Sequence, residues 1–348
     1  MTVEFWTTGI AHAQVAARAA ERAEAAGFDG MVVVDSQNLS GDPYVALALA
    51  AGATDTLKLG TGVTNTSTRH PAATAAAIAS VQVVSRGRAY LGIGRGDSAL
   101  AHLGFAPAPV GLLRAYVRVV RAYLRGDAVP FDDLRVFGHA GTKELDSLGL
   151  ADAPDESRLH WLPADLPPVP VEVAATGPKV LEASRDADRV LLAVGADPER
   201  VAWARDLAAA PATGAFVNVV AHADVDTARD LMRGGLSTFA RFNTMHGQTN
   251  GPLSDDDRGM LKELHESYDM TKHTQSGSPQ AGLLTDDFAS RFGIAGPPAY
   301  CVERLRALID LGIDKFIIVG PSIGSDSAAG RTAVQTLAEE VLPALRSA

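Results

Sequence analysis

The chain has 348 residues, 47% of them hydrophobic. That is enough for one large core, and an α/β barrel with insertions commonly uses roughly 250 to 400 residues. The net charge of −10 and the absence of any Lys/Arg run argue against nucleic acid or an anionic membrane surface as partner, and the one cysteine, Cys301, excludes an internal disulfide and a thiolate metal cluster. No window approaches about 18 unbroken apolar residues, and the first residues show no basic region followed by an apolar stretch, so a cytoplasmic protein is expected.

In chain order, Phe5-Trp6 belongs to a first strand, and residues 13–26 form an amphipathic helix stopped by Gly27. Residues 30–35 are nearly all apolar, as a strand buried on both faces must be, and they end in Asp35. Two further strands, starting near Leu57 and Gly87, flank a helix that opens at Pro71, where the missing N–H costs nothing. Later strands are expected at 169–174, 189–194, 215–220 and 315–319. Eight strands with helices between them predict a closed parallel (β/α)8 TIM barrel in a single domain, with no internal repeat beyond the barrel rhythm.

Two intervals break the short strand-helix rhythm. Residues 127–168 read as an irregular excursion with at most short helices, and 225–298 as a longer one with helical stretches at 225–241 and 256–268 around the turn-rich segment 243–247. Both are insertions of the barrel, expected to close over its mouth and to set specificity.

The carboxyl ends of the third and fourth strands carry the densest chemistry: Gly60-Thr61-Gly62-Val63-Thr64-Asn65 running on to Arg69-His70-Pro71, and Gly92-Ile93-Gly94-Arg95-Gly96-Asp97 followed by Ser98-Ala99. Ligands of parallel strand-helix proteins sit at these ends, where backbone groups lie open and small residues admit a flat ring. The glycines also have a plainer reading as strand-to-helix turns. The spacing Gly92-x-Gly94-x-Gly96 is not that of a dinucleotide loop, and it lies on the fourth strand, not the first.

With Asp35-Ser36-Gln37, Asp42-Pro43-Tyr44, Gly177-Pro178-Lys179 and Gly296-Pro297-Pro298, these segments resemble the luciferase-like flavin and deazaflavin oxidoreductases. The similarity is greatest to the branch that includes methylenetetrahydromethanopterin reductase, which uses coenzyme F420. The resemblance spans about 30–320. It implies a luciferase-like barrel, a homodimer, and a cofactor ring lying across the mouth against a bulge in the third strand. That bulge commonly contains a non-prolyl cis peptide, which by position falls at Gly62-Val63. The ring would rest on Gly62, Val63, Thr64 and Asn65 and on the turn containing Gly94 and Gly96.

The cofactor phosphate would lie at Thr176, Gly177, Pro178 and Lys179, a strand-helix turn whose first N–H groups are unpaired at the positive end of a helix. An ordinary turn is the plainer reading there. Asp35 and Asp97 are the candidate acid/base groups, with Ser36 and Gln37 as hydrogen-bonding partners. Asp35 could instead cap its own turn. Relatives of the glucose-6-phosphate dehydrogenase type carry His directly after the equivalent aspartate, so Ser36 here speaks against sugar-phosphate oxidation. The pair Arg69-His70 caps a turn or faces the cofactor edge, and His246 lies with Arg241 and Asn243 in the second insertion, from where it could reach the substrate from above. No metal spacing appears among the nine histidines.

The implied function is hydride transfer between F420 and a small organic substrate. The alternatives are an FMN-dependent monooxygenase using reduced flavin and oxygen, and a non-catalytic flavin-binding barrel, which the polar strand ends disfavour.

Overall fold

The computed structural model describes residues 2–138 and 141–347, with the side chain of His246 outside the description. Ten strands form one sheet, all of whose pairings are parallel: β1 (Glu4–Gly9), β2 (Gly30–Val33), β3 (Lys58–Thr61), β4 (Thr64–Asn65), β5 (Ala89–Gly94), β6 (Val171–Ala175), β7 (Arg189–Leu192), β8 (Thr213–Ala221), β9 (Ile294–Gly296) and β10 (Lys315–Val319). The barrel closes through β10, which pairs with β1 at Glu4↔Lys315 and with β8 at Lys315↔Gly214. β4 resumes the path of β3 after the cis peptide Gly62-Val63 and pairs with β5. The eight expected strands are therefore present, and the cis bond falls where the resemblance put it.

Side-chain alternation explains why these strands read as nearly continuous apolar runs. On β1 and β10, Phe5 and Phe316 stack outside the barrel while Glu4, Trp6, Lys315 and Ile317 alternate inward. Trp6, Val32, Leu191, Phe216 and Ile317 fill the interior. Gly30 makes room for this, because a Cβ there would lie 2.3 Å from the Trp6 ring.

Beneath that layer, at the amino ends of the strands, the interior is ionic. Lys315 Nζ, fully buried, lies 2.7 Å from Glu172 Oε2 and 3.4 Å from the centre of the Trp6 ring. Glu172 also binds Arg189, Arg189 binds Asp314, and Lys58 binds Glu4. Charges this deep persist only when paired, so the barrel is a packed plug below its mouth.

The described residues of the first insertion lie on the outer flank of the barrel, not over its mouth. The insertion follows a helix, Val110–Leu124, and so leaves from the amino end of the barrel. It is tied there by the Val129–Ser157 bridge and by Gln82, which donates to Pro167 O at 2.9 Å, and it climbs the outer flank until Phe137 meets Tyr116 and His70.

The second insertion follows β8 and does cross the mouth. Its helix Val225–Phe242 drops Phe239 onto Phe216 and ends where the buried Arg200 binds Asn243 Oδ1 and the carbonyls of Asn250 and Pro252. A second helix, Asp255–Ser267, lies near its expected place. The excursion returns as β9, a strand the sequence did not announce, paired with β8 at Val219↔Ile294.

Candidate active site at the carboxyl end of the barrel

Asp35 lies two residues beyond β2 and is 4% exposed. Its Oδ2 accepts the Thr64 hydroxyl at 2.6 Å and the Arg69 guanidinium at 2.7 Å, while Oδ1 has no partner among the described residues. Asp35 therefore does not cap its own turn; its buried charge is balanced across the mouth by Arg69. Arg69 also binds Asp42 at 2.7 Å and lies 5.0 Å from the centre of the Tyr44 ring, and Asp42 in turn caps the helix Pro43–Ala53.

Ser36 and Gln37 do not attend Asp35 as expected. The Ser36 carbonyl accepts from Leu39 and Ser40, and the exposed Gln37 donates to Ala99 O at 2.9 Å, bridging the rims of β2 and β5.

The cis segment lies flat on β5 because β5 carries glycines there. A Cβ at Gly92 would sit 2.2 Å from Thr61 O, and one at Gly94 would sit 3.1 Å from Val63 Cγ2. Gly96 has φ of 76°, and a Cβ there would stand 2.8 Å from Asn65 Cβ, so this turn requires glycine twice over. Thr64 and Asn65 are buried; Asn65 Oδ1 accepts from the N–H groups of Ser67 and Thr68. Asn65 Nδ2 and Thr66 Oγ1 are buried with no partner among the described residues. His70 takes the capping role: its Nδ1 accepts from Ala72 N at 3.2 Å at the start of Pro71–Val84.

Asp97 follows β5 and meets Arg241 from the second insertion. Both carboxylate oxygens are engaged, with Arg241 Nη2 2.9 Å from Oδ1 and Nη1 on Oδ2. Asp97, a candidate acid/base group by sequence, is thereby tied to the second insertion by two charge-assisted bonds. The same guanidinium lies 4.9 Å from the centre of the Tyr268 ring. Beside it runs a chain absent from the sequence reading: Ser98 Oγ to His273 Nε2 at 3.0 Å, His273 Nδ1 to Tyr268 OH at 2.9 Å, and Tyr268 OH to Thr238 Oγ1 at 3.2 Å. Burial, with Arg241 and His102 nearby, pushes His273 down to about 4, so the imidazole is neutral at pH 7.

The turn after β6 places Thr176, Gly177, Pro178 and Lys179 together. Pro178 opens a helix, Pro178–Ala183, that runs on as a 3-10 turn through Ser184–Asp186 and so covers the expected 179–185. Gly177 has an ordinary φ of −101°, and a Cβ there would meet nothing within 4 Å, so the backbone faces open space. Lys179 is exposed and has no ion-pair partner among the described residues. A cavity of about 530 Å³ lined by Gln82, Arg125, Arg158 and Leu166 lies at the opposite end of the barrel, under the first insertion, away from this chemistry.

A closed barrel of eight parallel strands, with its polar groups gathered at the carboxyl ends under a helical strap, defines a (β/α)8 protein with its site in the usual place for that fold. Residues 4–315 match the family described as luciferase-like monooxygenase, and the chain belongs to that family. It is similar to 5,10-methylenetetrahydromethanopterin reductase of Archaeoglobus fulgidus, 28% identical over 338 residues that cover 93% of each chain. It is also similar to F420-dependent glucose-6-phosphate dehydrogenase of Beutenbergia cavernae, 28% identical over 93% of this chain and 91% of that one. Among solved structures, the coenzyme F420 dependent tetrahydromethanopterin reductase of Methanopyrus kandleri superposes with a TM-score of 0.70 over 99% of this chain and 100% of that one, at 23% identity, which speaks to the fold.

Proposed function

We propose that this chain is an oxidoreductase that transfers a hydride between coenzyme F420 and a small organic molecule. The observation that carries the reading is full-length similarity to reductases and dehydrogenases, two of them named F420-dependent and matched over 93% of this chain. The mouth fits such a cofactor. The cis Gly62-Val63 segment with Gly94 and Gly96 offers a flat wall, and Asp35 Oδ1, Asn65 Nδ2 and Thr66 Oγ1 are buried polar atoms that a bound ring would satisfy.

When bound, the deazaflavin supplies the hydride-carrying carbon; the residues of the chain supply position and polarity. Gly62, Val63, Thr64 and Asn65 back the ring. Thr176, Gly177, Pro178 and Lys179 receive its phosphate, supported by the open space at Gly177; the N–H groups of Val180 and Leu181 are already taken by Gly177 O, so the turn offers that of Lys179. Asp35 offers its remaining oxygen to the ligand while Arg69 balances its charge. Arg241 and Asp97 keep the strap closed, which excludes water from the transfer. Sugar phosphate is not the proposed substrate, because Ser36 follows Asp35 and Gln37 is turned to Ala99.

The protein is proposed to act as a cytoplasmic homodimer. Exposed Val45 and Leu49 on one helix and Val83 and Val84 at the end of Pro71–Val84 support the pairing, and no described helix is long and apolar enough to cross a membrane.

Oxygen separates this reading from an FMN monooxygenase. Mixed with air-saturated buffer, the protein loaded with reduced F420 is expected to keep its cofactor reduced, because carbon replaces the nitrogen needed for a flavin peroxide. Rapid oxidation with reduced FMN, through a peroxide-type absorbance, would replace the F420 reading with the monooxygenase.

A further inference from the structure

Arg241 takes both oxygens of Asp97, and Arg69 holds Asp35 as a charge-balanced carboxylate with only the buried Oδ1 left, yet hydride transfer to or from a carbonyl or imine carbon moves one proton as well. The chain from Ser98 through His273 and Tyr268 to Thr238 supplies what they do not. We propose that the Ser98 hydroxyl is the group that exchanges this proton with the substrate, and that His273 and Tyr268 are the positioning residues that set whether Ser98 donates or accepts. The proposal rests on the F420 reading for the hydride partner, and on the hydrogen-bond geometry for everything else.

Ser98 is half-buried and opens the short helix directly after Asp97, on the strand whose glycine turn faces the cis wall. It is bracketed by Gln37, which reaches Ala99 O from the β2 rim, and by His273 from the strap. Both ring nitrogens of His273 are in hydrogen-bond contact, Nε2 with Ser98 and Nδ1 with Tyr268.

A neutral imidazole has one N–H, so this arrangement has two states. With the proton on Nε2, His273 donates to Ser98 Oγ and the serine proton turns outward as a donor. With the proton on Nδ1, His273 donates to Tyr268, Ser98 donates to Nε2, and the serine presents lone pairs outward. The charged and titratable groups facing His273 are Tyr268, Arg241 and His102; the last two disfavour a second proton on the ring and keep the two-state exchange available.

In the oxidising direction the substrate C–H bond gives its hydride to the cofactor and the substrate O–H or N–H proton passes to Ser98 Oγ. The serine proton goes to Nε2, the Nδ1 proton goes to Tyr268, and one proton leaves from the half-buried Tyr268 to solvent. Electrons end on the cofactor and one proton in water; reduction runs the same steps backwards.

The test reads His273 directly and needs no substrate. Protein labelled with 15N at histidine is examined by NMR with and without saturating oxidised F420, in the parent, in Ser98→Ala and in Tyr268→Phe, with F420 affinity followed separately by fluorescence. Expected are a neutral His273 at pH 7, a change of its tautomer ratio when F420 binds, loss of that response in Ser98→Ala, and a shift toward one tautomer in Tyr268→Phe. F420 affinity should fall no more than about two- to tenfold in Ser98→Ala, the equivalent of one hydrogen bond. Bound F420 that leaves the His273 signals unchanged would overturn the proposal. If F420 does not bind and FMN does, the cofactor reading fails, and the same comparison with FMN decides the role of Ser98. Binding of neither overturns both.

Discussion

Replacing Arg241 with Leu tests the strap where it meets the barrel. The guanidinium makes two charge-assisted hydrogen bonds to Asp97 and lies over Tyr268; the two side chains are 14% and 16% exposed. Breaking a fully buried pair costs about 3–5 kcal/mol, but water can reach this aspartate, and the lost contact over the ring adds about 0.5–1 kcal/mol. About 3 kcal/mol is therefore expected. For 348 residues the unfolding entropy is about 0.7 kcal/mol per kelvin, so the melting temperature should fall by about 4 °C. Thermal and urea unfolding of Arg241→Leu, Asp97→Leu and the double variant give the coupling. If the pair acts as one unit, the double variant loses well under the sum of the single losses, by about 2 kcal/mol. Additive losses, or an Arg241→Leu protein as stable as the parent, would refute the latch.

His273 makes a contribution to stability that depends on pH. Its folded value of about 4 lies below the ordinary 6.5, so above pH 6.5 neither folded nor unfolded chain holds the extra proton, and below it the unfolded chain gains one that the folded chain refuses. Stability should fall as pH drops from about 6.5 to about 4, by about 2–3 kcal/mol from this group, and His273→Gln should lose that part of the slope in urea titrations; an identical slope would contradict it. At the proposed phosphate turn, Gly177→Val places a branched side chain in open space, so cofactor affinity should fall about tenfold or more while the melting temperature barely moves. Lys179→Ala should weaken binding less, and mostly at low salt. Parent-like affinity in a folded Gly177→Val protein would put the phosphate elsewhere.

The barrel was legible because strands buried on both faces leave continuous apolar runs, and Pro71 and Pro178 mark helix starts that the structure keeps. Less was legible where contact, not composition, decides. β9 is three residues inside a long excursion, too short to show a period, and it forms because β8 offers Val219 to Ala221 as a template. The first insertion was expected at the mouth because the helix Val110–Leu124 before it was not among the predicted elements, and it is that helix which carries the chain to the amino end.

Within the site, Gly62, Gly96, Asp35 and Asp97 stood out by their place at strand ends. Arg69 stood there too, but which side chain meets which did not show. Arg69 stands 34 residues from Asp35, Arg241 stands 144 from Asp97, and His273 stands 175 from Ser98, so only the folded chain joins them. Residue type offered one clue in hindsight, since each buried carboxylate demands a cation.

The most direct test of the central claim is a binding titration of the purified protein with F420 and with FMN, each oxidised and reduced. F420 should bind tightly in both redox states, less so in Gly177→Val, and FMN should bind at least a hundredfold more weakly (about 2.7 kcal/mol). Tight FMN binding without F420 binding would contradict the claim.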